Sequence, residues 1–189
     1  MSTADDVPAS RRNSWLALAG LWLVYGAFGA VAASLAPLVP QIRADFGTGN
    51  SAMGGVLGAW PLTYIVAAIP CGVFLDRIGV RIGLFVATLV IALSCLLRAT
   101  SDTTFELFLA VAVLGRGAPI VSVGAPRVIA ELFDGPSRGM AIEIYITGPA
   151  IGAVAALSLT NSVLLPIAGT WQGVMLMHAG FTLSAGIVW

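Results

Sequence analysis

The chain has 189 residues, of which 58% are hydrophobic and only 10% charged, and its mean hydropathy is +0.96. Soluble domains carry about 25% charged residues, so a water-soluble globule is excluded and a bilayer is the expected solvent. Nine arginines and nine acids cancel to a net charge of zero, which leaves no basic field for nucleic acid and directs attention to lipid and small molecules as partners.

A membrane crossing needs about 20 predominantly apolar residues. Cutting the chain at its charges, prolines and polar clusters predicts an all-α membrane protein: a tail at residues 1–13, then spans near residues 14–37, 51–75, 78–97, 105–125, 139–160 and 172–189. The first span follows Ser10-Arg11-Arg12-Asn13-Ser14, a start that export signals share, but five more apolar segments downstream mark it as a first span. Trp22 and Tyr25 on this span, with Trp60 and Tyr64 on the second, are candidates to line a cavity or to mark the interface belt. A loop carrying Gln41, Arg43, Asp45, Gly47, Gly49 and Asn50 is expected between the two.

The second and third spans are separated by Gly72-Val73-Phe74-Leu75-Asp76-Arg77-Ile78-Gly79-Val80-Arg81. Asp or Arg at the bilayer centre costs about 2.5 to 3.5 kcal/mol, so this run reads as a polar hinge that fixes where one helix stops and the next starts. Only sixteen uncharged residues separate Arg81 from Arg98, so the third span draws on residues 78–81 and lets arginine side chains reach the headgroups. The fourth span carries Arg116 near mid-membrane, between Gly115 and Gly117, and ends at Pro126. Such a guanidinium is expected to face the bundle interior, where it binds an anionic substrate, pairs with an acid or contacts exposed carbonyls. On the fifth span Pro149 removes a backbone hydrogen bond and kinks the helix, while Gly148 and Gly152 offer a small surface for close helix approach. Glu143, in the expected first turn of that helix, is placed to pair with Arg127 or Arg138.

No charged residue follows Glu143, and the polar run from Asn161 to Gln172 splits this stretch into a fifth and a sixth span. The sixth stops at Trp189 without a charged flank, so truncation of that helix is expected. It carries His178, the single histidine and, with Glu143, a candidate proton relay. Short cytoplasmic loops carry the excess of positive charge, and a cytoplasmic N-terminus puts Arg11, Arg12, Arg77, Arg81, Arg127 and Arg138 on that side.

The hinge resembles the loop between helices 2 and 3 of the major facilitator superfamily, with Gly72, Asp76, Arg77, Gly79 and Arg81 at matching positions. A second similarity lies in Pro126-Arg127 through Arg138-Gly139, which resembles that family's loop between helices 4 and 5, and a third in Gly148-Pro149-Ala150-Ile151-Gly152 on helix 5. The resemblance implies the N-terminal six-helix half of a facilitator fold, with the hinge as a conformational latch whose Asp76 faces a helix of a second half. It implies a secondary transporter working by alternating access on a small solute such as a small anion or organic acid, as in the cyanate-transporter group, in the bacterial inner membrane. The partners implied are that second six-helix half or a homodimer. The alternative expectation is a truncated or half-size six-helix protein that serves as a structural or regulatory subunit. No cofactor or metal is expected, and one histidine with neither H-E-x-x-H nor G-x-S-x-G argues against a membrane enzyme.

Overall fold

A computed structural model describes the backbone of residues 9–189 and the side chains from Asn13 onward; residues 1–8 of the expected tail and the Arg11 and Arg12 side chains lie outside the described residues. The chain forms helices α1 (Ala9–Ala33), α2 (Val39–Phe46), α3 (Asn50–Ile78), α4 (Val80–Ala99), α5 (Thr104–Leu132), α6 (Pro136–Leu159), α7 (Leu165–Ala168) and α8 (Trp171–Val188). A 3-10 turn, Ala36–Leu38, leads into α2, and a π turn, Thr160–Leu164, joins α6 to α7. Among the described residues, five stretches are long and apolar enough to cross a membrane: Asn13–Phe46, Asn50–Ile78, Val80–Ala99, Thr104–Leu132 and Pro136–Ala168. The 18-residue α8 packs beside them, against α4 and α1.

Several boundaries differ from expectation, each for a local reason. The segment expected as a loop after the first span contains α2, which has proline in its first turn, Arg43 in its last and Gly47 in the left-handed conformation as its stop. The polar hinge is almost wholly helical. Asp76 and Arg77 lie in the last turn of α3 and Arg81 in the first turn of α4, so the break is confined to Gly79, whose φ of 79° and ψ of 158° suit a residue without a β-carbon. The fourth span does not end at Pro126, since α5 runs through it to Leu132. A proline inside a membrane helix is tolerated where neighbouring groups compensate the freed carbonyl. The polar run after Leu159 stays helical through the π turn and α7, and the chain reverses at Gly169 (φ 75°).

Packing follows a paired scheme in which α1 lies along α6, α3 along α5, and α4 between α5 and α8. Side-chain hydroxyls stitch two of these seams: Thr63 Oγ1 on α3 donates to Ala112 O on α5 (2.8 Å), and Ser94 Oγ on α4 donates to Ala110 O on α5 (2.7 Å). The α1–α6 seam is closer still. A β-carbon added at Gly29 would sit 2.5 Å from the Pro149 Cα, and one at Gly152 would sit 2.8 Å from the Gly26 carbonyl carbon, so backbone meets backbone there. The apolar windows of α3 and α6 are each only 11% buried, against 67% for α5, so these two helices form the periphery.

Two apolar clusters fill the interior. One, with Leu21, Val24, Leu84, Ile91, Leu114 and Val121, runs along the middle of α1, α4 and α5. The other, with Leu38, Ile42, Met53, Leu107, Trp171 and Met175, closes the end of the bundle capped by α2. There the Trp171 indole donates to Asp45 Oδ2 (2.7 Å) and its ring meets Phe46 edge-on, tying α2 to the start of α8.

Candidate functional site

A chain of aromatic rings crosses α6, α1 and α3. Tyr145 on α6 lies 5.7 Å from Tyr25 on α1, Tyr25 stacks on Phe28 (6.1 Å, 17°), Phe28 meets Trp60 on α3 edge-on (5.9 Å, 84°), and Trp60 meets Tyr64 at 6.5 Å and 89°. These separations and angles are those that the ring quadrupole favours. Tyr25, Phe28, Trp60 and Tyr64 are half-buried, leaving part of each ring accessible. One turn before Tyr25, the Trp22 indole donates to Thr147 Oγ1 on α6 (2.9 Å), which fixes the neighbouring stretch of the α1–α6 seam. The structure thus joins three sequence candidates, Tyr25, Trp60 and Tyr64, and adds Phe28 and Tyr145. The three-residue spacing of Tyr25 and Phe28 on one helix face was the available signal for Phe28.

Arg116 stands apart from this wall. Gly115 packs against α3, where a β-carbon would lie 2.8 Å from Tyr64 N, and Gly117 packs against α4, 3.2 Å from Ala87 O. The residue between them is turned roughly 100° from each and points away from the core formed by Leu114, Ala118 and Val121. Arg116 is exposed, on a groove of about 450 Å³ between α4 and α5 shared with Leu97, Thr100, Ser101 and Glu106.

At the Gly79 end of the bundle, Arg127 Nη1 on α5 donates to Asp76 Oδ1 on α3, the one ion pair among the described residues. Asp76, expected to look toward a helix outside this chain, has a partner within it. Arg77 and Arg81 are exposed, and the Arg81 carbonyl accepts from the Trp189 indole (3.2 Å). Glu143 makes no ion pair with Arg127 or Arg138 and lies in the second turn of α6, because that helix starts at Pro136 rather than at residue 139. Gly148 and Gly152 face α1, and α6 is continuous through Pro149. His178 is buried on α8, far along the chain from Glu143 and on a different helix.

Sequence reasoning missed Arg98, which it left at a span end facing water. The structure buries it to 1% exposure, with Nη1 donating to Val31 O (3.1 Å) and reaching Ser34 Oγ (3.5 Å) at the end of α1. The signal was present: Leu84, Ala87, Ile91, Cys95 and Arg98 recur at helical spacing along the buried face of α4.

Residues 21–189 match the family model of the Major Facilitator Superfamily. The chain belongs to the major facilitator superfamily. It is an integral membrane protein. Among curated facilitator relatives, the chain is 27% identical over 182 residues to the uncharacterized transporter YycB of Bacillus subtilis, covering 94% of this chain and 44% of that protein. It is 25% identical over 159 residues to a D-galactonate transporter of Escherichia coli O6:H1, covering 83% and 36%. A probable L-galactonate transporter of Escherichia coli K12 is 25% identical over 153 residues, with coverage of 78% and 32%. The chain spans less than half the length of these relatives.

Proposed function

We propose that this facilitator takes part in secondary transport of a small organic acid by alternating access, with α8 as the sixth span, the N-terminus cytoplasmic and the bacterial inner membrane as its site. The observation that carries the reading is the ring wall of Tyr145, Tyr25, Phe28, Trp60 and Tyr64, built by α6, α1 and α3. Accessible aromatic faces bind the C–H surface of a small solute, and tyrosine hydroxyls add donors and acceptors. Sugar acids are the class favoured by the two galactonate-transporting relatives; the cyanate-like group of small anions is the second substrate class to assay. The exposed outer faces of α3 and α6 are where a second six-helix unit fits, as another half or as a second copy. The Asp76–Arg127 pair and the Gly79 break form the latch at the cytoplasmic end, with Gly72, Arg77 and Arg81 around them.

Counterflow in proteoliposomes tests this, using labelled galactonate and a panel of small organic anions. Saturable exchange is expected, reduced at least tenfold by Trp60→Ala at equal membrane abundance. Absence of exchange for every acid in the panel, alone or with a co-expressed second half, refutes the substrate class.

A further inference from the structure

Arg98 is the one buried charged residue among those described, and its guanidinium stays charged at any physiological pH. A buried cation ordinarily requires a carboxylate, and none among the described residues serves it. Asp76 is engaged by Arg127, Asp45 accepts from Trp171, Glu106 accepts from the Asp102 N–H, and Asp102, Glu131, Asp134 and Glu143 are exposed and make no ion pair. The acceptors Arg98 does have, Val31 O and Ser34 Oγ, are neutral and reach only Nη1. Its Nε is buried without a partner, and so is Nε2 of His178 on α8. Contacts lead from Arg98 to the helix that carries His178: Ser34, the neighbour of Arg98, also meets Met175 Sδ at 4.0 Å, and Met175 precedes His178 by one helical turn. Along α1, α4 and α8 there are thus two unpaired ring or guanidinium nitrogens and one positive charge, with no carboxylate among the described residues to pair it.

We propose that Arg98 and His178 hold a small monovalent anion of the halide class between α1, α4 and α8. Arg98 Nε–H and the Nε2–H tautomer of a neutral His178 both donate, and an anion satisfies both while cancelling the charge. A water molecule would satisfy the N–H groups but leave the cation uncompensated in a low-dielectric interior, which is unfavourable. The site lies on the α4–α8 side, apart from the ring wall on α1, α3 and α6, and acts as a structural ion that pins α8 to the end of α1. It stands independently of the transport reading.

Thermal unfolding of the purified protein in micelles tests the site, comparing sodium chloride with sodium gluconate at matched ionic strength. The expected result is a saturable rise in Tm with chloride or bromide, roughly 3–6 °C at tenfold excess over the dissociation constant. His178→Phe keeps an aromatic ring and removes the donor, and is expected to weaken the apparent chloride affinity at least tenfold; Arg98→Gln is expected to abolish the response. If Arg98→Gln does not fold, the wild-type titration and His178→Phe still decide. Equal Tm in chloride and gluconate, or a chloride response kept in full by His178→Phe, overturns the proposal.

Discussion

Replacing Gly29 by alanine adds a single methyl group at the tightest part of the α1–α6 seam. That carbon would lie 2.5 Å from Pro149 Cα and 2.7 Å from its carbonyl carbon, whereas ordinary van der Waals contact starts at 3.4 Å. Both obstacles are backbone atoms, so no side chain can swing aside and the two helices must separate by about 1 Å. A gap of that size forfeits a quarter to a half of the dispersion well for each contact along the seam. Overpacking of this kind costs roughly 1–3 kcal/mol, offset by up to about 1 kcal/mol from the better helix propensity of alanine. Gly54→Ala on α3 is the control, because nothing lies within 4 Å of its added carbon and only the propensity gain remains. Unfolding of the purified protein in mixed micelles of rising denaturing-detergent fraction should place Gly29→Ala about 1–3 kcal/mol below Gly54→Ala. Equal stability of the two variants would refute a backbone-on-backbone seam.

Other substitutions probe the remaining features. Asp76→Asn and Arg127→Gln should be non-additive in a double-mutant cycle on stability, with a coupling of about 0.2–1 kcal/mol because the side chains are 61% and 40% exposed; strict additivity would mean that the pair contributes nothing. Trp171→Phe keeps the edge-on contact with Phe46 but removes the indole bond to Asp45, and should cost roughly 1–2 kcal/mol in the same unfolding assay; an unchanged midpoint would show that α2 is held by apolar contact alone. Arg116→Ala should lower organic-acid uptake much less than Tyr25→Ala or Trp60→Ala, since Arg116 lines a groove between α4 and α5 apart from the ring wall; a larger loss would place the guanidinium on the solute path.

The helical class and the family were legible because they rest on patterns that survive without tertiary detail, namely long apolar runs and the Asp76-Arg77-Ile78-Gly79 break. Helix ends were less legible. Charge was used to terminate spans, yet a helix need not stop where the apolar window stops, and Asp76, Arg77 and Arg127 all ride on helices that project past it. Orientation about the helix axis was least legible. Arg116 was placed from the cost of an arginine in lipid, whereas the local geometry follows from the glycines beside it, which pack against α3 and α4 and leave Arg116 exposed. Arg98 was assigned outward because it sits near a span end, although its spacing from Cys95 and Ile91 continues the buried stripe. In both cases the neighbours at helical spacing carried more information than the charge itself.

The order of synthesis gives the enclosed Arg98 a further meaning. Val31 and Ser34, which supply its acceptors, precede it by more than sixty residues and are translated first. Met175, which meets Ser34 Oγ, and His178 follow Arg98 by some eighty residues.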